Sequence, residues 1–339
     1  MKILTIAVAA YNVSRYLRAC LESLLVDETH RHLLEVIITD DGSTDDSVDI
    51  AEEFVNLYPD VFVLHHQANA GYGTTVNYAL AHASGRFFKL CDGDDLCDTH
   101  NLEKLLDFLA TTDCEIVVND YAQVRAGTAH RRHTFAFAHW PAHQSLPVSQ
   151  LHPPAVYLPM QALTFATSVL RAHWQDLPAR ICYTDALYTL TGLSAAATFA
   201  YVPGVVYLYS TGRRHQSTAR AQLVAHYADQ YRMLKILLAR FGRFAARREP
   251  DFLTTQLVHC ATAPYLINVY YDPDPVRATR RLQSFDRYLR DNFPALRAAV
   301  LAKLPSLKLA AAYRFNRQWL DASWLWQMNS WRQKRTGVL

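Results

Sequence analysis

None of the six cysteines (Cys20, Cys91, Cys97, Cys114, Cys182 and Cys260) forms a C-x-x-C pair, and several lie inside apolar segments. This excludes a disulfide frame or a cysteine zinc site and reads as reduced, mostly buried thiols of an intracellular protein. Met1-Lys2-Ile3-Leu4-Thr5-Ile6 lacks the layout of a signal peptide. A long hydrophobic run is also missing. A long uncharged stretch, from about 186 to 211, is interrupted by Gly192, Pro203 and Gly204, so a buried helix followed by a strand explains it better than a membrane span. No G-x-G-x-x-G follows the first apolar run, which argues against a dinucleotide-dependent oxidoreductase. There is no internal repeat and no low-complexity tract. The 339 residues, half of them hydrophobic, suffice for a full core and suggest two domains or one with a large extension.

Net charge is only +3 but unevenly spread. Residues 1–210 carry 12 Lys/Arg against 23 Asp/Glu, a net of −11, and residues 211–339 carry 22 against 8, a net of +14. Such asymmetry points to two jobs, or to a basic tail with an anionic partner. Nucleic acid is not the expected partner.

The first ninety residues alternate apolar runs with helical patterns. Residues 3–10, 35–39, 61–66 and 87–90 read as buried strands, with a helix over about 15–25 (Ser14 as N-cap), one holding Val48, Ile50, Ala51, Phe54 and Val55 (Ser43 or Thr44 as N-cap), and one holding Val76, Tyr78, Ala79 and Leu80 between them. Short loops and repeated strand–helix alternation predict an α/β fold with a mostly parallel, doubly wound sheet flanked by helices. Ligands of such sheets bind beyond the carboxyl ends of the strands, where Tyr11, Asp41, Asn69 and Asp92 fall. Further on, 102–109 reads as a helix, 115–118 as a strand, 161–170 as a helix or strand, 181–197 as a helix, and 200–209 as a strand broken at Pro203-Gly204. The irregular 121–159 stretch, rich in His, Arg and Pro, reads as a variable loop and hairpin over the site. Its histidines, His130, His133, His139 and His143, have poor metal-ligand spacing. Helices follow to the end. The boundary is expected near residue 220: an α/β unit over 1–219, with halves divided at about 98, then a basic helical region over 220–339.

The strongest chemical signal is Asp92-Gly93-Asp94-Asp95 after the fourth strand. Three carboxylates in four positions raise one another's pKa, and a hard divalent cation, Mg²⁺ or Mn²⁺, relieves the repulsion. Gly93 permits a sharp turn and leaves room for a ligand. The bland alternative is a solvated acidic turn.

Ala10-Tyr11-Asn12, Thr39-Asp40-Asp41-Gly42-Ser43-Thr44-Asp45, Asn69-Ala70-Gly71, Asp92-Gly93-Asp94-Asp95, Tyr183-Thr184-Asp185 and Gly212-Arg213-Arg214-His215-Gln216-Ser217 occur in that order. At this spacing residues 1–218 resemble glycosyltransferase family 2, the inverting nucleotide-sugar-dependent enzymes of GT-A fold. Ala9 departs from the proline common in that family, which affects loop stiffness rather than chemistry. The resemblance implies a catalytic domain over 1–219, with a nucleotide-sugar-binding half to about 98 and an acceptor half from about 99, and the following roles. Tyr11 packs on the base and Asp41 accepts the uracil N3–H. Asn69 and Gly71 line the ribose–diphosphate path. Asp92 bonds ribose or sugar, with Gly93 beside it, and Asp94 holds the Mn²⁺ or Mg²⁺. Asp95 is a second ligand or, preferably, a helix N-cap. Asp185 is the general base, or else a helix cap. Arg213 or Arg214, with Gln216 and Ser217, clamps the diphosphate, and His215 is an outside candidate ligand. The nucleotide sites thus comprise Ala9, Tyr11, Asp41, Asn69, Gly71, Asp92, Gly93, Asp94, Arg213, Arg214, Gln216 and Ser217.

The Gln-x-x-Arg-Trp signature of processive synthases is missing, so addition of one sugar per event is expected. The implied donor is a UDP-sugar and the acceptor a glycan or lipid-linked hydroxyl of a bacterial surface polymer. The alternative is a catalytically idle nucleotide-sugar-binding or scaffold protein, against which the intact Asp92, Asp94 and Asp185 argue. Trp319, Trp324, Trp326 and Trp331 stand among arginines and lysines near the C-terminus. They suit an anionic membrane surface, hence a cytoplasmic protein peripheral at the inner face of the cell membrane, or packing on protein, including a second subunit.

Overall fold

The computed structural model describes residues 1–125, 131–151, 157–213, 216–245 and 252–303. It divides into two compact units, Met1–Gln216 and Ser217–Leu339. The four early apolar runs form strands β1 (Leu4–Ala10), β2 (Leu34–Asp40), β3 (Phe62–His66) and β4 (Phe87–Asp92). β2 pairs parallel with β1 and β3, and β4 pairs parallel with the other side of β1. The order 3-2-1-4 makes the carboxyl ends of β1 and β4 a topological switch point, the place where doubly wound sheets open a crevice for ligands.

Helices α1 (Ser14–Ser23), α2 (Glu28–Arg31), α3 (Ser47–Leu57) and α4 (Tyr72–His82) connect these strands. Their apolar stripes, such as Leu17, Cys20 and Leu21 of α1, are buried. Ser14 does not cap α1. Its N–H donates to Asp45, 3.0 Å away, which also accepts from the Ser47 N–H and hydroxyl at the start of α3. One carboxylate thus satisfies orphan donors of two helices. Ser43 and Thr44, expected to cap α3, instead bond Asn12.

The remainder of the sheet is mixed. β5 (Leu96–Cys97), helix α5 (Thr99–Thr111), β6 (Ile116–Arg125), β7 (Arg131–Phe135), β8 (Leu146–Pro147), β9 (Leu163–Ala166), helices α6 (Thr167–His173) and α7 (Asp185–Ala195), and β10 (Thr198–Thr211) complete the unit. β9 lies antiparallel between β4 and β6, joining the two halves of the sheet. The hairpin expected after 121 is the β6–β7 pair. The ambiguous 161–170 segment is a strand followed by a helix. β10 is not broken at Pro203-Gly204: it runs on beside β6, absorbing the two residues as register shifts between Val202 and Tyr207. Among the described residues no disulfide joins the cysteines.

The second unit, as far as it is described, is helical: α8 (Arg220–Ala225), α9 (Tyr227–Ala245), α10 (Phe252–Leu266), α11 (Pro275–Asn292) and α12 (Pro294–Lys303). Buried Asp272 bonds Arg277 at 2.6 Å and Arg281 at 3.3 Å, and Asp286 joins Tyr265 to Arg297. Among the described residues no helix is long and apolar enough to cross a membrane. The tryptophan-rich tail, Arg214, His215 and His130 lie outside the described residues.

Candidate active site

The end of β1 provides the floor of the crevice. Ala9 pairs with Thr39 on one side and Asp92 on the other, and its carbonyl accepts from the Gly93 N–H at 3.0 Å. A Cβ on Gly93 would come within 2.8 Å of that carbonyl, so glycine lets the acidic turn fold back onto β1. Asn12, with φ +52, ties the two neighbouring loops by accepting from the Thr44 N–H and donating its own N–H to Ser43. Tyr11 stands beside it half exposed (51 %), an available aromatic face at the crevice edge.

Asp41 is buried, and its carboxylate organises the loop entering α4. It accepts from Gln67 Nε2, the Ala70 N–H and the Gly71 N–H, each at 2.8 Å. Gly71 has φ +94 and sits so close to the Arg180 backbone that a Cβ would meet it at 2.8 Å. Asn69 is exposed and does not cap α4. Asp40 accepts from the Gly42 and Ser43 N–H groups and from His66, so it closes the turn rather than facing the crevice.

β4 delivers the carboxylates. Ligand oxygens of Asp92, Asp94 and Asp95 lie within 4.8 Å of one another. Asp95 is not a helix cap, because Asp98 caps α5 through the Asn101 N–H. Asp95 instead accepts from the Tyr207 hydroxyl and the Ser210 N–H, both at 2.8 Å, which locks the turn against β10. The Tyr207 oxygen in turn accepts from the Asp92 N–H at 3.1 Å. Asp92 Oδ1 is buried with no hydrogen-bond partner. Burial, then the charges of Asp94 and Asp185, push the Asp92 carboxyl well above the usual range. Burial raises Asp94 against the opposing charge of Arg213, and burial followed by its two acidic neighbours raises Asp95. An orphaned oxygen, and repulsion that Arg213 offsets only in part, are what a hard cation with oxygen ligands would satisfy.

Asp185 is the first residue of α7 and close enough to Asp92 to raise its pKa. Burial raises its own pKa, partly offset by amides of its first turn. It follows Tyr183, held at φ +67, a rare conformation for an aromatic residue. Arg213 does not project into solvent as a free clamp. It bonds Asp94 and Asp95, while Gln216 donates to the Ser210 carbonyl at 2.7 Å. Ser217 opens the second unit.

Residues 5–171 match the family described as Glycosyl transferase family 2. They form a family 2 glycosyltransferase domain. The glycosyltransferase domain is 31 % identical over 120 residues to the putative teichuronic acid biosynthesis glycosyltransferase TuaG of Bacillus subtilis, covering 35 % of this chain and 47 % of that one. The chain spans less than half of the length of the curated relatives it matches, 47 % of one and as little as 11 % of another. Its fold is similar to S. aureus TarS 1–349 in complex with UDP-GlcNAc (TM-score 0.65, 18 % identity, 94 % of this chain and 93 % of that one). It is also similar to the mannosyltransferase PcManGT of Pyrobaculum calidifontis in complex with GDP-Man and Mn²⁺ (TM-score 0.52, 18 % identity, 92 % and 82 %). At such identity the likeness to both is one of fold, which is GT-A.

The site's support includes one residue that the sequence reading passed over. Lys89 is fully buried in β4 and donates to Asn119 Oδ1 at 3.3 Å, Gln161 O at 2.9 Å and Leu163 O at 3.3 Å. Its ammonium lies 5.8 Å from the Tyr207 ring centre, under the tyrosine that holds Asp95. Burial pushes its pKa down to about 8. The available signal was a lysine at an interior position of the apolar run Phe87-Phe88-Lys89-Leu90-Cys91.

Proposed function

We propose that the chain transfers one sugar per event from a UDP-sugar to an acceptor hydroxyl, with inversion, in assembly of a bacterial surface glycan such as a capsule, exopolysaccharide or teichoic acid. The convergence of Asp92, Asp94 and Asp95 at the end of β4, beside Asp185, carries this reading. The donor set fits Mn²⁺ or Mg²⁺, with Asp94 as its principal holder and the unpartnered Asp92 Oδ1 facing cation, ribose or sugar. When bound, the cation neutralises charge on the departing nucleoside diphosphate. Tyr11 offers its face to the base. Asp41, with three donors already on it, fixes the 67–71 loop and presents its remaining lone pair to the base N–H. Asn69, Gly71 and Gln216 line the donor path.

Asp185 takes the proton of the acceptor hydroxyl as that oxygen attacks the anomeric carbon from the face opposite the leaving group. One displacement inverts the centre. A carboxylate raised by burial is a better base near neutral pH than an ordinary aspartate. The transferred group is a hexose or N-acetylhexosamine. The acceptor is a glycan or lipid-linked, which places the reaction in the cytoplasm or at the inner face of the membrane, and the TuaG likeness supports a wall-polymer pathway.

Titration calorimetry of UDP with Mn²⁺ and with EDTA tests the donor site. Wild type is expected to bind UDP much more tightly with Mn²⁺, and Asp94→Ala to lose that difference. Equal UDP affinity of the two proteins in both conditions sinks the cation role.

A further inference from the structure

Arg213 is bound where a cation would be needed. Its guanidinium donates from Nη1 to Asp94 Oδ2 and from Nη2 to the Asp94 carbonyl at 2.6 Å, with longer contacts to Ser210 O at 3.3 Å and Asp95 Oδ1 at 3.4 Å. The guanidinium also lies over the Tyr16 ring, 4.5 Å from its centre. Its side chain is 9 % exposed, and its Nε is buried with no partner. It is the one Lys or Arg that the described ion pairs place on this acidic turn.

We propose that Arg213 is the resident counter-ion of the carboxylate trio and changes partner when the donor arrives. A divalent cation takes over Asp94, and the released guanidinium turns to the diphosphate, whose oxygens match its fork. This rests on the cation-dependent donor site proposed above. The backbone permits the exchange: Gly212 precedes Arg213 at φ +86, is exposed, and has only ordinary contacts around it. Breaking a buried ion pair without a replacement partner is costly. A cation alone must therefore displace Arg213 into a place that offers it no anion. With nucleotide present, the diphosphate receives it. Cation and nucleotide then bind cooperatively, each raising the other's affinity by the same factor.

The test compares the full chain with Arg213→Gln and Arg213→Lys. Binding of Mn²⁺ alone is followed by the loss of the free-ion EPR signal, and binding of UDP by calorimetry with and without Mn²⁺. Arg213→Gln is expected to bind Mn²⁺ alone about 10-fold tighter than wild type. Its UDP affinity with Mn²⁺ should fall, and the enhancement of UDP binding by Mn²⁺ should shrink. A purely structural arginine would weaken both ligands on replacement. Arg213→Lys, which keeps the charge without the fork, should tighten Mn²⁺ by a smaller factor, and it carries the test if the glutamine variant fails to fold. Unchanged or weaker Mn²⁺ binding in the folded variants overturns the exchange. If wild type binds UDP no better with Mn²⁺ than with EDTA, the donor-site reading itself falls, and the exchange with it.

Discussion

Replacing Lys89 by methionine tests the packing beneath the acidic turn. In the folded chain the ammonium titrates near 8, against 10.5 for the free side chain. Between those values the unfolded chain holds more protons than the folded one, so stability rises with pH there. Below pH 8 the buried charge costs about 3 kcal/mol relative to an exposed lysine. Its hydrogen bonds to Asn119, Gln161 and Leu163 return about 1 kcal/mol each. Integrating the proton difference, the stability of wild type relative to Lys89→Met should rise by about 2 kcal/mol between pH 7 and pH 9.5. Urea denaturation of both proteins at a series of pH values reads this directly, and taking their difference cancels every other titrating group. A difference that stays constant from pH 7 to 9.5 would refute the buried-ammonium account.

Asp185→Asn should keep UDP affinity within a few-fold while turnover falls by on the order of 10²-fold; near-normal turnover with a lowered melting temperature would reduce Asp185 to a helix residue. The acid limb of the wild-type rate profile should lie above the ordinary aspartate range, because burial raises Asp185, and a limb near pH 4 would count against it. His30 clips α2 to α5 through Asp27 at 2.7 Å and Asp107 at 3.1 Å, and the bond to Asp27 leads in raising its pKa. Its stabilisation is full below pH 6.5 and lost as pH rises through the raised value. His30→Ala should therefore lower the melting temperature more at pH 5.5 than at pH 9, by an amount within the 1 kcal/mol or so of a surface pair, and an equal loss at both would contradict the clip.

Much of the parallel half could be read from the sequence because strands buried on both faces are largely apolar runs, as β1, β2 and β4 are, with β3 a partly exposed edge strand beside them. Their carboxyl ends placed Tyr11, Asp41 and Asp92 at one crevice before any contact was known. The antiparallel insertion of β9 was not legible. Four residues followed at once by a helix leave no period to count, and a strand's partners are set by distant chain. Capping misled for a related reason. Ser14, Ser43 and Thr44 have the right chemistry at the right local positions, yet Asp45 reaches across from another loop and serves both helices. Asp95 and Asp98 looked alike in sequence, and only the Tyr207 hydroxyl and Ser210 amide from β10, more than a hundred residues away, distinguish them. The same distance hid the partner of Arg213. A basic loop after the last strand suggested an anion clamp, whereas the folded chain seats the guanidinium on Asp94.

The most direct measurement is nucleotide release from a panel of nucleotide-sugars, followed by NMR with Mn²⁺ and with EDTA. The account predicts release of UDP from at least one UDP-sugar, dependent on the cation and lost in Asp94→Ala. Release from none of the panel, or release that survives EDTA and the substitution unchanged, would contradict it.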